Sequence, residues 1–313
     1  MISKVLLAAS AALVLSTGVA YAKPSPAVMA AVADKGRPEA DTKRDADRKP
    51  AEMMAFAGVK PGSVVADFIP GGGYFTRIFA KTVGPKGKVF AIANPPPPTA
   101  TTPPAIIGIA ADPQYGNITL IPGVANFTLP QQVDVFWTAQ NYHDLFARAR
   151  NVDISKVDKM NYDAIKPGGV FIVLDHAAAP GTPIDPDDKL HRIDPAHVKA
   201  QLISSGFKLE SESKILANLA DDHTKSVFDP AIRGKTDQFI LKFRKPKSIL
   251  TSPVLRGRGT ARRVVEGARR GAAFEPAPST IGSSPPTLST GRPMVPLPRN
   301  RGRQGDTALC RSR

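Results

Sequence analysis

Two short runs carry most of the residues able to do chemistry. Asn141-Tyr142-His143-Asp144 sets an imidazole beside a carboxylate, and Asp175-His176 repeats the pair in reverse order. Histidine changes charge near neutral pH, so His143, with Asp144, is a candidate general base for a hydroxyl, amine or carbon acid. A cap or a loop hydrogen bond would account for His143 equally well, and both readings stand. Asp175, His176, His191 and Arg192 are candidates for substrate contact; a helix-start network around Asp194 is the alternative for His191 to Asp194. Imidazole and carboxylate both ligate divalent ions, so the two His/Asp pairs could meet on one. Spacing gives no geometry for this, and no metal is assigned. Asp221-Asp222-His223 reads as a solvated loop, with reach to the mouth of a cleft as the alternative.

A third run is built for a ligand rather than for proton transfer. Val64 to Phe68 is apolar apart from Asp67, and Ile69-Pro70-Gly71-Gly72-Gly73 leads into a helical pattern from Tyr74. Strand, glycine turn and helix is the arrangement by which α/β proteins bring bare backbone against a nucleotide-like ligand.

The elements that must position these runs alternate. Strands are expected at Ser63 to Phe68, Lys88 to Ala93, Ile118 to Ile121, Val133 to Thr138 and Val170 to Asp175. The last two have the continuous apolar character of strands buried on both faces. Helices are expected at 27–33, 49–56, 74–83, 155–165 (Met160 and Ile165 inward) and 195–205, the last capped by Asp194. Asn94 to Pro104 is dominated by Pro and Thr and must be irregular. Phe207 to Ile215 and Asp237 to Phe243 alternate, as antiparallel end strands do. The pattern indicates one α/β domain. Phe136, Trp137 and Phe171 read as core.

With these landmarks in place the chain resembles class I S-adenosylmethionine-dependent methyltransferases, and within them the exported, signal-peptide-bearing bacterial group. The resemblance rests on the turn from Asp67 to Gly73, on Asn141 to Asp144, on Lys166-Pro167-Gly168-Gly169 and on Arg233-Gly234-Lys235-Thr236-Asp237. It implies a Rossmann-like, mostly parallel sheet with an antiparallel terminal strand and helices on both faces. It also implies S-adenosylmethionine as cofactor, held by Asp67, Pro70, Gly71, Gly72, Gly73, Tyr74, Asn94, Asn141 and Tyr142, with Asp67 beside the amino-acid portion. Tyr142 could offer a stacking face; the alternative is a core aromatic. Two departures stand out. Ile69 replaces the first glycine of the usual turn, and Asn94 stands where an acidic residue would take the ribose hydroxyls. The function implied is methyl transfer to a small acceptor. The alternative is a non-catalytic periplasmic binding protein on a degenerate methyltransferase fold.

The two ends differ from the body. Lys4, an apolar stretch from Val5 and Ala20-Tyr21-Ala22 form a cleavable export signal over residues 1–22, so a periplasmic or secreted protein without stable membrane insertion is expected. Residues 23–62 form a helical lead-in and 63–245 the α/β domain. The net charge of +15 is uneven: residues 246–313 hold 13 Lys+Arg against 3 Asp+Glu, which is +10. This Pro-, Gly- and Arg-rich tail is expected to be disordered. It is either a nucleic-acid- or membrane-surface-binding arm or an extension translated from a shifted frame in GC-rich DNA. The second reading is preferred, and no nucleic-acid partner is expected. The single cysteine, Cys310, excludes a disulfide scaffold and a Cys-based zinc site. Oligomeric state is left open.

Overall fold

The computed structural model describes residues 22–247. The expected export signal and the basic tail therefore lie, but for their inner ends, outside the described residues. Among the described residues no helix is long and apolar enough to cross a membrane.

Seven strands form one sheet: β1 (Val64–Phe68), β2 (Lys88–Ala93), β3 (Ile118–Pro122), β4 (Val133–Ala139), β5 (Ile165–His176), β6 (Lys208–Ser213) and β7 (Gln238–Arg244). Their order is β3-β2-β1-β4-β5-β7-β6. The first five are parallel, and β7 runs antiparallel to both β5 and β6. This is the doubly wound, Rossmann-like sheet with antiparallel terminal strands expected from the sequence. Strand β5 starts earlier than expected because Lys166 to Gly169 stays in the sheet. Ile165 pairs with Val133, the register then shifts, and left-handed Gly168 (φ 83°) absorbs the irregularity.

Among the described residues eight α-helices flank the sheet: α1 (Pro26–Val32), α2 (Glu39–Thr42), α3 (Asp45–Arg48), α4 (Pro50–Ala57), α5 (Tyr74–Val83), α6 (Ala105–Ala111), α7 (Ile154–Ala164) and α8 (Pro195–Ser204). Asp194 caps α8 by accepting from the Ala196 N–H, as expected. Helix α6 was not foreseen behind the proline loop. On α7 the buried positions are Val157, Asp158 and Asn161; Met160 is only partly buried, and Ile165 belongs to β5.

Side chains on a strand alternate between faces, and β4 shows the consequence. Val135 and Trp137 enter one core with α1, α4 and α5, while Phe136 enters the other with Phe68, Phe171, Val198 and Leu202; Val133 joins that second core because the register shifts between Val133 and Val135. Trp137, Phe136 and Phe171 are fully buried, as the sequence suggested. The lead-in is not an appendage: Val28, Ala31, Met53, Met54 and Phe56 build the first core and cover that face of the sheet.

Two long loops, 177–194 after β5 and 214–237 between β6 and β7, are tied by a buried ion pair. Arg192 Nη1 and Nη2 lie 2.9 and 3.0 Å from Asp221, and both side chains are 1% exposed. Arg192 also donates to the Ala177 and Lys225 carbonyls, and Asp221 accepts the His223 and Asp237 N–H groups. Arg192 is therefore a structural cation rather than the substrate-facing one expected, and Asp221 is buried rather than solvated. Breaking a buried pair strands a charge, at about 3–5 kcal/mol. Asp221→Ala in the full chain should lose about that much in urea unfolding, and the double variant Arg192→Met/Asp221→Leu should lose less than Asp221→Ala alone.

Candidate active site

The sheet changes winding direction at β1, whose neighbours β2 and β4 lead to opposite sides. Loops leaving the carboxyl ends of such strands diverge and open a crevice. Here the chain leaves β1 through left-handed Ile69 (φ 60°), Gly71 (φ 56°) and Gly73 (φ 76°) before α5 begins. Glycine adopts that region freely; a β-branched residue does so at about 1–2 kcal/mol. Ile69 is held there by Asn141, whose Nδ2 donates to the Ile69 carbonyl at 2.9 Å and the Ala139 carbonyl at 2.6 Å. A Cβ at Gly71 or Gly72 would meet nothing within 4 Å, whereas one at Gly73 would collide with Ile109 of α6. The first two glycines leave open space, and the third lets α6 pack.

That space is a cleft of about 240 Å³. Ile69, Pro70 and Gly71 form one wall, and Ala93 and Asn94 follow β2. Val124 and Ala125 follow β3, Pro104 and Ile106 come from the start of α6, and Leu145, Arg150 and Val152 come from the segment after β4. Most of this lining is apolar. Asn94 Oδ1 accepts the Val124 N–H at 2.8 Å, fixing the loop after β3. The Asn94 Nδ2 group is the polar donor this residue can turn toward the cleft.

Several residues expected at the cofactor are committed elsewhere. Asp67 is 3% exposed, off the cleft wall, and accepts from Thr76 Oγ1 at 2.6 Å. Burial pushes its carboxyl up to about 7, against the Thr76 bond and the charge of Arg48. The Tyr74 hydroxyl donates to Asp45 at 2.6 Å, beneath the guanidinium groups of Arg37, Arg44 and Arg48. Tyr142 is fully buried, donates to Asp158 at 2.9 Å and packs edge-on against Phe146 and Phe171. It is a core aromatic, not a stacking platform, and Asn141 braces the turn instead of facing a ligand. Pro70, Gly71 and Asn94 are the expected cofactor residues that do line the cleft.

The polar residues after β4 and β5 converge. His143 Nδ1 lies 2.7 Å from Asp175 Oδ1, and Asp175, fully buried, also accepts the His143 and His176 N–H groups. An ionised carboxylate only accepts, so His143 carries its proton on Nδ1 and turns Nε2 toward Asp144, Asp188 and His191. Burial alone would lower the His143 imidazole, but the Asp175, Asp188 and Asp144 carboxylates outweigh it and push it up to about 9. His143 is thus protonated at neutral pH, which corrects its assignment as a ready general base. Asp144 Oδ2 is tied to Arg150 at 2.6 Å, linking this cluster to the cleft wall. Asp188 is pushed up to about 6 by burial, with the nearby Asp144 charge acting the same way. His191 Nδ1 lies 2.9 Å from Asp188 Oδ2. His176 turns away: its Nδ1 meets Thr236 Oγ1 at 2.7 Å, and burial pushes it down to about 4. Asp175 is therefore the anchor of His143, and neither Asp175 nor His176 stands free to meet a substrate.

No family model and no curated protein sequence matches the chain. Among solved structures, a SAM-dependent methyltransferase from Aquifex aeolicus is 18% identical with a TM-score of 0.48, over 66% of this chain and 95% of that one. The 1,6-didemethyltoxoflavin N1-methyltransferase of Burkholderia thailandensis, solved with S-adenosylhomocysteine, is 14% identical with a TM-score of 0.46 over 67% and 82%. A protein of Bordetella parapertussis described as a possible exported protein is 19% identical with a TM-score of 0.40 over 65% and 67%. The fold assignment rests on strand order and register rather than on these likenesses.

Three residues of the site escaped the sequence reading. Asp188 sat inside Asp185-Pro186-Asp187-Asp188, although its i,i+3 spacing to His191 was a usable signal. Arg150 carries no motif that would single it out. Arg48, which donates to Gln140 at 2.6 Å and stacks over Tyr74 and Phe75, lay in the lead-in.

The raised Asp67 carboxyl has a measurable sign. An unfolded Asp titrates near 3.9, so between about pH 4 and 7 the native state holds more protons than the unfolded one. Its stabilising contribution is complete below that window and is lost as pH rises through it. The Tm of the full chain minus that of Asp67→Asn should therefore fall between pH 4 and pH 8; a constant difference would refute the raised carboxyl.

Proposed function

We propose that the protein is a methyltransferase that takes its methyl group from S-adenosylmethionine and passes it to a small acceptor. One observation carries the reading: the cleft lies at the carboxyl ends of β1, β2 and β3, beside the winding switch, against backbone that glycine keeps bare. Ligands of open α/β sheets occupy that crevice. Bound there, S-adenosylmethionine supplies an electrophilic methyl group. Gly71 and Pro70 would receive its backbone-facing side, Asn94 Nδ2 would bond a ribose hydroxyl, and Ile106, Val124 and Leu145 would enclose an apolar ring.

Catalysis on this reading is largely positioning. Arg150 and Asp144 join the cleft to the polar cluster, so the acceptor is expected at the Arg150 side. His143 at neutral pH donates rather than accepts; it would orient an acceptor oxygen or nitrogen through Asp144 and not remove its proton. Export to the periplasm or medium belongs to the same proposal and rests on the Ala20-Tyr21-Ala22 cleavage pattern.

A second reading, a binding protein that has lost catalysis, is favoured by the cleft volume. About 240 Å³ falls below the roughly 300–1,000 Å³ usual for small-molecule pockets.

Calorimetry of the full chain with S-adenosylhomocysteine separates the two, with micromolar binding expected. A Cβ at Gly71 meets nothing in the protein, so Gly71→Ala should fold with only about 1–2 kcal/mol of backbone strain yet weaken binding at least tenfold. No heat at millimolar ligand would refute the cofactor assignment. Asn94→Asp keeps the acceptor for the Val124 N–H and gives a ribose diol a charge-assisted partner, worth roughly twice a neutral bond. It should tighten S-adenosylhomocysteine about five- to tenfold by calorimetry.

A further inference from the structure

Four side chains that can each ligate a metal ion meet beside Arg150. His143, Asp144, Asp188 and His191 each turn one donor atom toward the others, all within 4.8 Å of one another. His143 Nε2 is 3.4 Å from His191 Nδ1, 3.4 Å from Asp144 Oδ1 and 3.9 Å from Asp188 Oδ2. His191 Nδ1 is 3.7 Å from Asp144 Oδ1 and 2.9 Å from Asp188 Oδ2. Four ligands at about 2.0–2.2 Å around one tetrahedral ion stand about 3.3–3.6 Å apart, and these five edges bracket that value.

The His143 ring supplies a second, independent sign. It is 95% buried (5% exposed), and its Nδ1 is taken by Asp175. Among the described residues Nε2 has no partner outside the cluster, and its contacts of 3.4 Å and more exceed the 2.7–3.2 Å of a good hydrogen bond. In the ion-free protein this nitrogen turns a proton toward the carboxylates, and a bound cation would take that proton's place. Two of the donors are also oriented from behind. Asp175 accepts from the back of His143, the carboxylate–histidine pairing that steers metal-bound imidazoles. Arg150 holds Asp144 Oδ2 and leaves Oδ1 facing inward.

From this geometry we infer that His143 Nε2, Asp144 Oδ1, Asp188 Oδ2 and His191 Nδ1 form a binding site for a divalent first-row transition ion. Two imidazoles with two carboxylates suit zinc, manganese, iron or cobalt better than magnesium or calcium, which favour all-oxygen shells. The ion would join the loop 177–194, which supplies Asp188 and His191, to the segment after β4 that supplies His143 and Asp144. His191, whose side chain is 32% exposed, marks the side on which the site reaches solvent. The sequence assigned no metal, and the inference stands whether or not the cleft takes an adenosyl ligand.

The test uses the full chain, stripped with chelator, and zinc alone as titrant, without adenosyl compound. Calorimetry should show one zinc per chain with a rise in Tm, and cobalt should compete and give the visible absorption of a four-coordinate site. His191→Ala should weaken zinc about a hundredfold, Asp188→Asn at least tenfold, and Asp175→Asn, which acts only by positioning His143, about 10–100-fold. His223→Ala, a histidine bonded to Asp237 away from the cluster, should leave binding unchanged. Absence of stoichiometric zinc in the wild-type chain overturns the site. So does binding that survives both His191→Ala and Asp188→Asn in folded protein, folding being read from the melting curves.

Discussion

The turn between β1 and α5 is the constraint on which the cleft depends. To reverse direction without filling the crevice with side chains, the backbone must be left-handed at residues 69, 71 and 73. Glycine supplies two of the three, and the third is an isoleucine that would relax if released. Asn141 prevents that by holding the Ile69 and Ala139 carbonyls together. One amide thus couples the exit of β1 to the exit of β4. His143 follows two residues later, so the bare wall of the cleft and the polar cluster are mounted on the same brace.

Two aspartates at this sheet edge show how position decides the state of a residue type. Asp67 and Asp175 end neighbouring parts of the same sheet, and both are buried. Asp67 has a hydroxyl as its bonding partner, and desolvation dominates, so its carboxyl is raised. Asp175 has the His143 ring and two backbone N–H groups; desolvation is overcome and its carboxyl is held below the ordinary range. The first can take up or release a proton near neutrality. The second stays charged and fixes the tautomer of His143.

The sheet was legible because its signals are local. Apolar runs, alternation in the last two strands and the Lys-Pro-Gly-Gly entry to β5 need no knowledge of distant residues. The site was legible only in outline, because reactive side chains were judged by type while their partners lie far along the chain. Tyr142 is spent on Asp158, Tyr74 on Asp45, Arg192 on Asp221 and His176 on Thr236. No spacing rule links those pairs. Helix α6 was missed for a different reason: it follows a proline-rich stretch and is too short for a clear helical period.

The lead-in settles which end of the cleft a ligand can use. Asp41 holds Arg77, which also donates to the Gly72 carbonyl, and Asp45 holds Tyr74 at the start of α5. Arg48 lies over Tyr74 and Phe75 and reaches Gln140. The segment from Asp41 to Arg48 therefore covers the glycine turn on the side nearest Asp67. The walls left for approach are the exposed Asn94 after β2 and Arg150 after β4. A ligand with one apolar ring and one polar end would seat its ring between Ile106, Val124 and Leu145. On either side of that segment, α1 and α4 supply Val28, Ala31, Met53, Met54 and Phe56 to the core, so the lead-in as a whole cannot be removed without uncovering it.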